Sequence, residues 1–230
     1  MKKSLLVYGI AAIVLCAIIV RCNSGPTSPS DKVLGHIIFS EGFESDLSEY
    51  RQITYDPTQG KMSISTQYAQ SGKGSLTSDS NNTGIKGNIS PSIDDSIAGL
   101  QFYIMASKAS HTDLLVAMCK TGSSANGLFT IMGMGIDKSD SLKYVYENTP
   151  DDSINEHKNF AACALNKWYK CKIEYNYTDT TLTYYLDDAV VRTQPSPSPM
   201  TLQTFIVMRD SLGVQGTSGY YVDNVSVYKR

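Results

Sequence analysis

The sequence carries little net charge, and this excludes whole classes of partner. Charged residues make up 18% of the 230, and the formal net charge at pH 7 is -2. A nucleic-acid-binding surface needs an excess of cations to neutralise phosphates, and an anionic membrane surface attracts the same kind of patch. We therefore expect no nucleic-acid partner and no direct electrostatic contact with a bilayer.

Motifs for common enzyme chemistries are also missing. The sequence has no Gly-x-Ser-x-Gly elbow, no phosphate-binding loop and no zinc-like spacing of cysteine and histidine. Retaining glycosidases place two carboxylates close together, and on jelly-roll sheets these alternate along one strand. No predicted strand here carries such a set. The adjacent acids occur in loops and are typical of turns: Asp94-Asp95, Asp151-Asp152 and Asp187-Asp188.

Long apolar runs are absent from most of the chain, and the exception is at its start. A cationic Met1-Lys2-Lys3 precedes an uncharged apolar run from Leu5 to Val20, which suits a signal-peptide core and is short for a membrane span. A Pro/Ser-rich stretch follows. We expect residues 1–22 to be a signal peptide or N-terminal membrane anchor and residues 23–34 to be a disordered polar tether. Residues 35–230 would then form one exported domain.

Cys22, followed by Asn-Ser-Gly, resembles the lipidated cysteine of bacterial lipoproteins. Arg21 departs from that pattern, because a small residue is usual before the cysteine. Lipidation at Cys22, an uncleaved N-terminal anchor and a signal peptide cut elsewhere all stay open. Each predicts an exported protein at the cell surface, in the periplasm or at the outer membrane, with any membrane contact made only through its N-terminus.

Convincing helical periodicity is lacking, and the recurring pattern is the alternation of half-buried strands. It is clearest from Trp168 to Gln194, which predicts three strands joined by two tight turns. Asp187-Asp188 supplies the second turn, since aspartate tolerates a left-handed backbone. The apolar face of the first of these strands comprises Tyr169, Cys171, Ile173 and Tyr175.

The most apolar stretches are predicted to lie at the centre of a two-sheet sandwich, where both faces of a strand are covered. They are Ile97 to Ala106, Asp113 to Lys120 and Leu128 to Ile136. Pro195 to Pro199 is interpreted as an extended link that cannot pair in a sheet, because proline lacks the amide donor.

Three stretches carry a family resemblance. The first contains Trp168, Tyr175, Tyr185, Leu186 and Asp187, with Asp188 where a glycine is usual. The others are Phe43-Glu44 followed by Ser71-Gly72, and the final run from Tyr220 to Tyr228. Together they resemble concanavalin A-like lectin, laminin-G, glucanase and carbohydrate-binding-module domains. The resemblance implies an all-β fold, a two-sheet antiparallel jelly-roll sandwich in which the last strand pairs beside the first.

A structural calcium ion is a further implication of this resemblance. Such jelly rolls often join the first strand to the last through calcium, and the matching carboxylates here are Glu44 and Asp223. Backbone oxygens near Ser71 to Ser75 would complete a set of hard oxygen ligands. The alternative is that Glu44 caps a turn and Asp223 bonds neighbouring backbone.

The cysteines of the body allow two interpretations. Cys119, Cys163 and Cys171 could contribute one disulfide in an oxidising compartment, with a pairing that the sequence does not choose. They could equally be small buried apolar residues. Alternation points Cys171 inward.

Binding of a glycan is the function that the sequence favours. Tyrosine is frequent, with 15 residues against 6 Phe and 1 Trp, and aromatic rings can stack on sugars. We predict a non-catalytic, lectin-like monomer, with a polysaccharide lyase or glycoside hydrolase relative as the first alternative and a structural adhesion module as the second. Trp168 and Tyr185 are placed on the outer face of the meander, and Tyr103 and Tyr144 on the other sheet. The predicted carbohydrate-binding residues are Tyr103, Tyr144, Tyr185 and Arg209.

Overall fold

The computed structural model describes residues 35–54, 61–78, 83–93, 96–109, 112–121, 128–148, 155–196, 201–210 and 219–230. The predicted leader and tether, Cys22, and the turn acids Asp94-Asp95 and Asp151-Asp152 lie outside these residues. In the part of the chain that is described, no helix is long and apolar enough to span a bilayer.

The regular elements of the described residues are β-strands. The first eight are β1 (His36–Glu41), β2 (Arg51–Thr54), β3 (Met62–Ser65), β4 (Ser75–Ser78), β5 (Thr83–Ile93), β6 (Ile97–Ala106), β7 (Asp113–Thr121) and β8 (Leu128–Ile136). The remaining strands are β9 (Ser141–Asn148), β10 (Glu156–Ala162), β11 (Tyr169–Asn176), β12 (Thr181–Leu186), β13 (Ala189–Pro195), β14 (Leu202–Asp210) and β15 (Tyr220–Lys229).

These strands form two antiparallel sheets. Sheet A has the order β13-β12-β11-β6-β15-β4-β3, and β1 also pairs with β15. Sheet B has the order β10-β9-β8-β7-β14-β5-β2. The pairing of β1 with β15 agrees with the prediction that the last strand lies beside the first. The predicted central strands do lie inside the sheets, with β6 in sheet A and β7 and β8 in sheet B.

The predicted meander from Trp168 to Gln194 is present as β11, β12 and β13. Tyr169, Cys171, Ile173 and Tyr175 all point into the core, as the alternation indicated. Asp187 and Asp188 have φ values of 48° and 67°, so both occupy the left-handed region that the second turn requires. Local pattern and turn chemistry therefore agree along this segment.

Tyrosines fill much of the core, so their abundance reflects packing as well as any binding surface. Several of the largest fully buried side chains are tyrosines. Their hydroxyl groups bond buried backbone carbonyls: Tyr184 Oη donates to the Val145 carbonyl at 2.9 Å and Tyr220 Oη to the Thr112 carbonyl at 2.7 Å. A buried tyrosine is tolerated when its polar tip is paired in this way.

Strand β5 was missed because glycine and proline interrupt it. The signal was nevertheless present, since Ile85, Ile89 and Ile93 keep the period of two and all are buried. Gly87 occupies an inward position, where an added Cβ would lie 2.2 Å from a ring carbon of Phe205. The glycine therefore makes room for an aromatic ring of the neighbouring strand β14.

Pro195 corrects the prediction that the whole proline-rich link lies outside the sheet. It ends β13, where it is paired in register with Thr181. β13 is an edge strand of sheet A, a position that tolerates a missing amide donor. The backbone N–H of Ser196 then donates to the Thr180 carbonyl at 2.7 Å.

Cys119, Cys163 and Cys171 are all free and buried. The structure thus favours the interpretation of small buried apolar residues over a disulfide. Burial raises the pKa of the Cys163 thiol to about 11 and raises those of Cys119 and Cys171 further. These thiols are protonated at neutral pH and poorly nucleophilic.

Candidate functional site

Strand β15 is interrupted where it changes partners. On one side it pairs with β6, and on the other it pairs first with β4, through Tyr221 and Val222, and then with β1, from Val225 onward. Its register with β6 shifts between Asp223 and Ser226, and Asn224 takes a φ of 49°. The side chains of Asp223 and Asn224 therefore lie at the junction of three strands.

Asp223 closes this junction by accepting backbone N–H groups. Its Oδ2 accepts from Gln70 at 2.8 Å and from Ser71 at 3.2 Å, and its Oδ1 accepts from Asn224 at 2.7 Å. The residue has no exposed surface. Burial raises the pKa of the carboxyl group, the three N–H donors oppose this, and the charge of Glu44 adds to the rise.

Glu44, which follows β1, binds the same loop. Its two carboxylate oxygens accept the Lys73 N–H at 3.2 and 2.9 Å. Gly72 passes beneath this carboxylate with a φ of 65°, and an added Cβ would lie 1.9 Å from Glu44 Oε1. Only glycine satisfies both the left-handed backbone and the close approach.

The structure brings the two predicted calcium ligands, Glu44 and Asp223, to one loop. The loop presents N–H groups of Gln70, Ser71 and Lys73 to these carboxylates, and the contribution of backbone oxygens near Ser71 to Ser75 stays a prediction. No group of three His, Cys, Asp or Glu side chains suited to a metal occurs in the described residues. The oxygen atoms at this loop are nevertheless of the type that calcium binds, because two carboxylates that repel each other lie near side-chain amide oxygens. The amide oxygens belong to Gln70 and Asn224.

Sequence reasoning missed the role of Glu41 in this region. Its carboxylate accepts the N–H of Phe43 and, at 2.5 Å, the hydroxyl of Tyr50. Phe43 is fully buried with a φ of 54°, so Glu41 caps a strained turn. The sequence signal for this capping role was the position of Glu41, two residues before the buried Phe43.

The outer face of sheet A carries two of the predicted sugar-binding tyrosines. Tyr103 alternates with the buried Phe102 and Ile104, and Tyr185 follows the buried Tyr184, so both point away from the core. Tyr103 is paired in register with Lys170, and Tyr185 with Lys172. Tyr103 had been placed on the opposite sheet, and the strand order corrects this: both tyrosines flank β11 on one face.

Tyr185 is braced by its neighbours on this face. Its hydroxyl donates to Glu174 Oε2 at 2.9 Å, and Lys172 Nζ lies 3.9 Å from the centre of its ring. Burial, followed by the bond to Glu174, raises the pKa of Tyr185 to about 12. The lysine contact is a cation–π interaction that covers one side of the ring.

Glu174 is buried on the outer face of β11, although this face lies away from the core. Its side chain is only 7% exposed and accepts hydrogen bonds from Tyr228 Oη at 2.7 Å and from Arg230 Nη2 at 3.1 Å, in addition to the one from Tyr185. Lys170 is similarly buried beside Asp188, with Nζ and Oδ1 3.0 Å apart. Polar groups on this face form a paired network rather than a solvated surface.

Tyr144 and Arg209 do not join this face, because they belong to sheet B. The Tyr144 ring stacks on Tyr184 with centroids 5.0 Å apart and on Phe160 at 6.2 Å, and the residue is 5% exposed. This burial argues against Tyr144 as a platform for a sugar. Arg209 is paired with Leu114 and Thr83 in β14, and its side chain lies outside the description.

A polar cluster occupies the side of the sandwich where edge strands β10 and β13 meet. Glu156 Oε1 lies 3.1 Å from Tyr144 Oη, 3.0 Å from Lys158 Nζ and 3.6 Å from Arg192 Nη2. Burial raises the pKa of Glu156, and its polar and cationic partners outweigh this and lower it. The carboxylate is therefore ionised at neutral pH.

Carboxylates are also isolated from one another along the strands. Each described strand carries at most one, such as Asp113 in β7, Glu147 in β9, Glu156 in β10 and Glu174 in β11. The paired acids of a retaining glycosidase are thus not found on any single described strand.

No protein-family model and no curated protein matches this chain. Solved structures do match it. The globular domain of T. cruzi calreticulin has a TM-score of 0.65 at 11% identity, over 84% of this chain and 88% of that chain. The laminarinase from Rhodothermus marinus has a TM-score of 0.56 at 12% identity, over 84% of this chain and 97% of that chain.

The ligand-binding domain of botulinum neurotoxin serotype D, solved in complex with N-acetylneuraminic acid, also has a TM-score of 0.56. Its identity is 12%, over 84% of this chain and 47% of that chain. At such low identities the likeness shows the fold alone. The predicted concanavalin A-like, two-sheet jelly-roll sandwich is confirmed.

Proposed function

We propose that this protein is an exported, membrane-tethered domain that binds carbohydrate without catalysing its cleavage. The observation that carries the proposal is the position of Tyr103 and Tyr185 on one outer face of sheet A, with Lys170 and Lys172 between them. Aromatic rings beside donors that can bond hydroxyl groups are the usual elements of a sugar site. The similar structures include proteins whose names refer to sugars or to their cleavage.

Export and tethering rest on the N-terminal sequence. The cationic start, the apolar run to Val20 and the polar stretch after Cys22 together favour a chain delivered across a membrane and retained there. Attachment would involve either lipid on Cys22 or the apolar segment itself. The sandwich would then face the medium in which polysaccharides occur.

The absence of catalysis is supported by the engagement of the described carboxylates. Glu174, Asp223 and Glu156 each accept hydrogen bonds from several partners, and each lies on a different strand. In a retaining glycosidase the general acid and the nucleophile face the same opening, and their carboxyl groups lie about 5 Å apart. We further propose that calcium binds at Glu44 and Asp223 as a structural ion, next to Tyr103, with which Asp223 is paired in register.

The test uses the full-length chain in mild detergent on a glycan array, followed by assays for new reducing ends and for unsaturated uronates. Binding without turnover is expected. Tyr103→Ala should weaken binding severalfold through loss of the stacking face, whereas Tyr103→Phe keeps the ring and should retain it. Turnover would overturn the proposal and show that the protein is an enzyme. Absence of both binding and turnover would favour the structural adhesion module.

A further inference from the structure

Lys158 and Arg192 project from the two edge strands toward the same carboxylate. Lys158 Nζ lies 3.0 Å from Glu156 Oε1, and Arg192 Nη2 lies 3.6 Å from the same atom. The side chain of Lys158 is 60% exposed and that of Arg192 is 43% exposed, whereas Glu156 is 22% exposed. Both cations can therefore reach a molecule in solution while Glu156 lies behind them.

Cations outnumber carboxylates among the described residues of this cluster. Lys158 and Arg192 share the single carboxylate of Glu156. An ammonium group has three N–H donors and a guanidinium group has five. Among the described residues, the contacts of Arg192 involve Nη2 with Glu156 and Nε with Gln194 Oε1, the latter at 3.4 Å. Neither is the paired, two-bond contact that guanidinium forms with a carboxylate at closer range.

An aromatic residue occurs on the same edge strand as Lys158 and packs against the core. Phe160 follows Lys158 by two residues on β10 and is partly exposed. Its ring is nearly parallel to that of Tyr144, with an interplanar angle of 25° and centroids 6.2 Å apart. Because the buried Tyr144 supports it, the orientation of the Phe160 ring is restrained. A restrained aromatic ring can stack on the ring of an acidic sugar while cations of the same edge bind its carboxylate.

Edge protection is the competing explanation for these residues. Charged side chains that point inward on edge strands prevent another sheet from pairing there, and Glu156, Lys158 and Arg192 do lie on β10 and β13. That role requires charge but no particular sign. It does not account for two cations around one acid.

We propose that this edge cluster binds the carboxylate of an acidic polysaccharide, with Arg192 and Lys158 holding the carboxylate and Phe160 contacting the sugar ring. The inference rests on the proposed carbohydrate-binding function and adds a second contact region to the outer face of sheet A. A guanidinium fork matches a planar carboxylate, whereas the compact ammonium of Lys158 adds charge without demanding an orientation. Glu156 keeps the two cations together when no ligand is bound.

The experiment measures binding of three polymers to the full-length chain in mild detergent by calorimetry. Polygalacturonate carries the carboxylates, its fully methyl-esterified form has the same backbone without charge, and dextran sulfate carries sulfates. We expect polygalacturonate to bind at least tenfold more tightly than the ester. Arg192→Gln should lower affinity for polygalacturonate at least tenfold and leave that for the ester unchanged, because charge-assisted bonds are lost. Lys61→Gln removes an equal charge at the exposed residue before β3 and should have no effect.

Glu156→Gln separates ligand binding from edge protection. Removing the internal carboxylate releases both cations, so affinity for polygalacturonate should rise severalfold. Under edge protection alone, the variant would change aggregation and leave polygalacturonate binding at the wild-type level. That result would overturn the inference.

Other outcomes are equally decisive. Equal binding of polygalacturonate and its ester, equal losses in Arg192→Gln and Lys61→Gln, or binding of dextran sulfate alone would each overturn the inference. Binding to neutral glycans on the array that persists in these cases would leave the proposed function standing. If the wild-type chain bound no glycan at all, both the proposed function and this inference would be overturned.

Discussion

The hydroxyl group of Tyr228 donates to Glu174 Oε1 at 2.7 Å, across 54 residues of sequence. The two residues lie on β15 and β11, which are separated by β6. The Tyr228 ring crosses the intervening strand above Gly99, where an added Cβ would lie 2.0 Å from the ring. A glycine in β6 thus allows the C-terminal strand to contact the meander.

Replacing Glu174 tests this network. Glu174→Gln removes the negative charge that pairs with Arg230 and Lys172. It also replaces one of the two oxygens that accept the tyrosine hydroxyls with an NH2 group, which is a donor. We expect a loss of about 2–4 kcal/mol, since breaking a buried charged network leaves its partners unpaired. The midpoint of thermal unfolding should fall by about 8 °C. Glu49→Gln, at an exposed position, should change it by less than about 1 °C. Equal midpoints in the two variants would show that the network adds no stability.

Two glycines near the β15 junction should respond differently to alanine. Gly72→Ala places a side chain on a left-handed backbone and against Glu44, so a loss of about 2 kcal/mol or more is expected. Gly42→Ala is the matched control, because its nearest neighbour would be 3.7 Å away, at Asn224 Oδ1. Urea denaturation measures both. A Gly72→Ala variant as stable as Gly42→Ala would contradict the close approach of Glu44.

Calcium should stabilise the domain through Glu44 and Asp223. At a calcium concentration one hundred times the dissociation constant, the gain is about 2.7 kcal/mol, so thermal unfolding should shift upward by about 5–10 °C. A chelator should reverse the shift. Glu44→Gln should abolish it, whereas Asp46→Asn, at a nearby exposed carboxylate, should retain it. An unchanged midpoint in wild-type protein with and without calcium would rule out the ion.

Asp137 gives the β8–β9 turn a defined pH dependence. Burial raises its pKa, but hydrogen bonds from Ser139, Asn159 and Ser141 outweigh this and hold the pKa below the ordinary 3.8. A lowered pKa in the folded state stabilises the protein above pH 3.8, and the contribution is lost as pH falls through the folded value. Asp137→Asn should therefore be less stable than wild type at pH 7.

The difference in the free energy of unfolding between Asp137→Asn and wild type should shrink as the pH is lowered toward 2. Asp46→Asn is not a suitable control, because the pKa of Asp46 is also lowered by Ser48. Glu49→Gln serves instead. A constant difference from pH 7 to pH 2 would contradict the lowered pKa.

Local features of the fold were predictable because neighbours in sequence determine them. The alternation from Tyr169 to Tyr175 and the left-handed turn at Asp187-Asp188 follow from strand period and turn chemistry. Strand β5 shows the limit, since its glycine and proline conceal an isoleucine period that is completed by Phe205 from another strand.

The candidate site was less predictable because it depends on strand order. Placing Tyr103 beside Tyr185 requires β6 to be adjacent to β11, and no local pattern specifies that pairing. The contacts of Glu174 with Tyr228 and of Glu156 with Arg192 likewise join distant segments. Glu44 and Asp223 were found because a family resemblance supplied the long-range information.

The position of β15 between β1, β4 and β6 determines when the domain can fold. Sheet A has no continuous interior until the last residues of the chain are available, and pairing across such a separation is slow. A chain whose C-terminal strand has not yet been synthesised therefore lacks the strand that joins β1, β4 and β6. Completion of sheet A waits for β15.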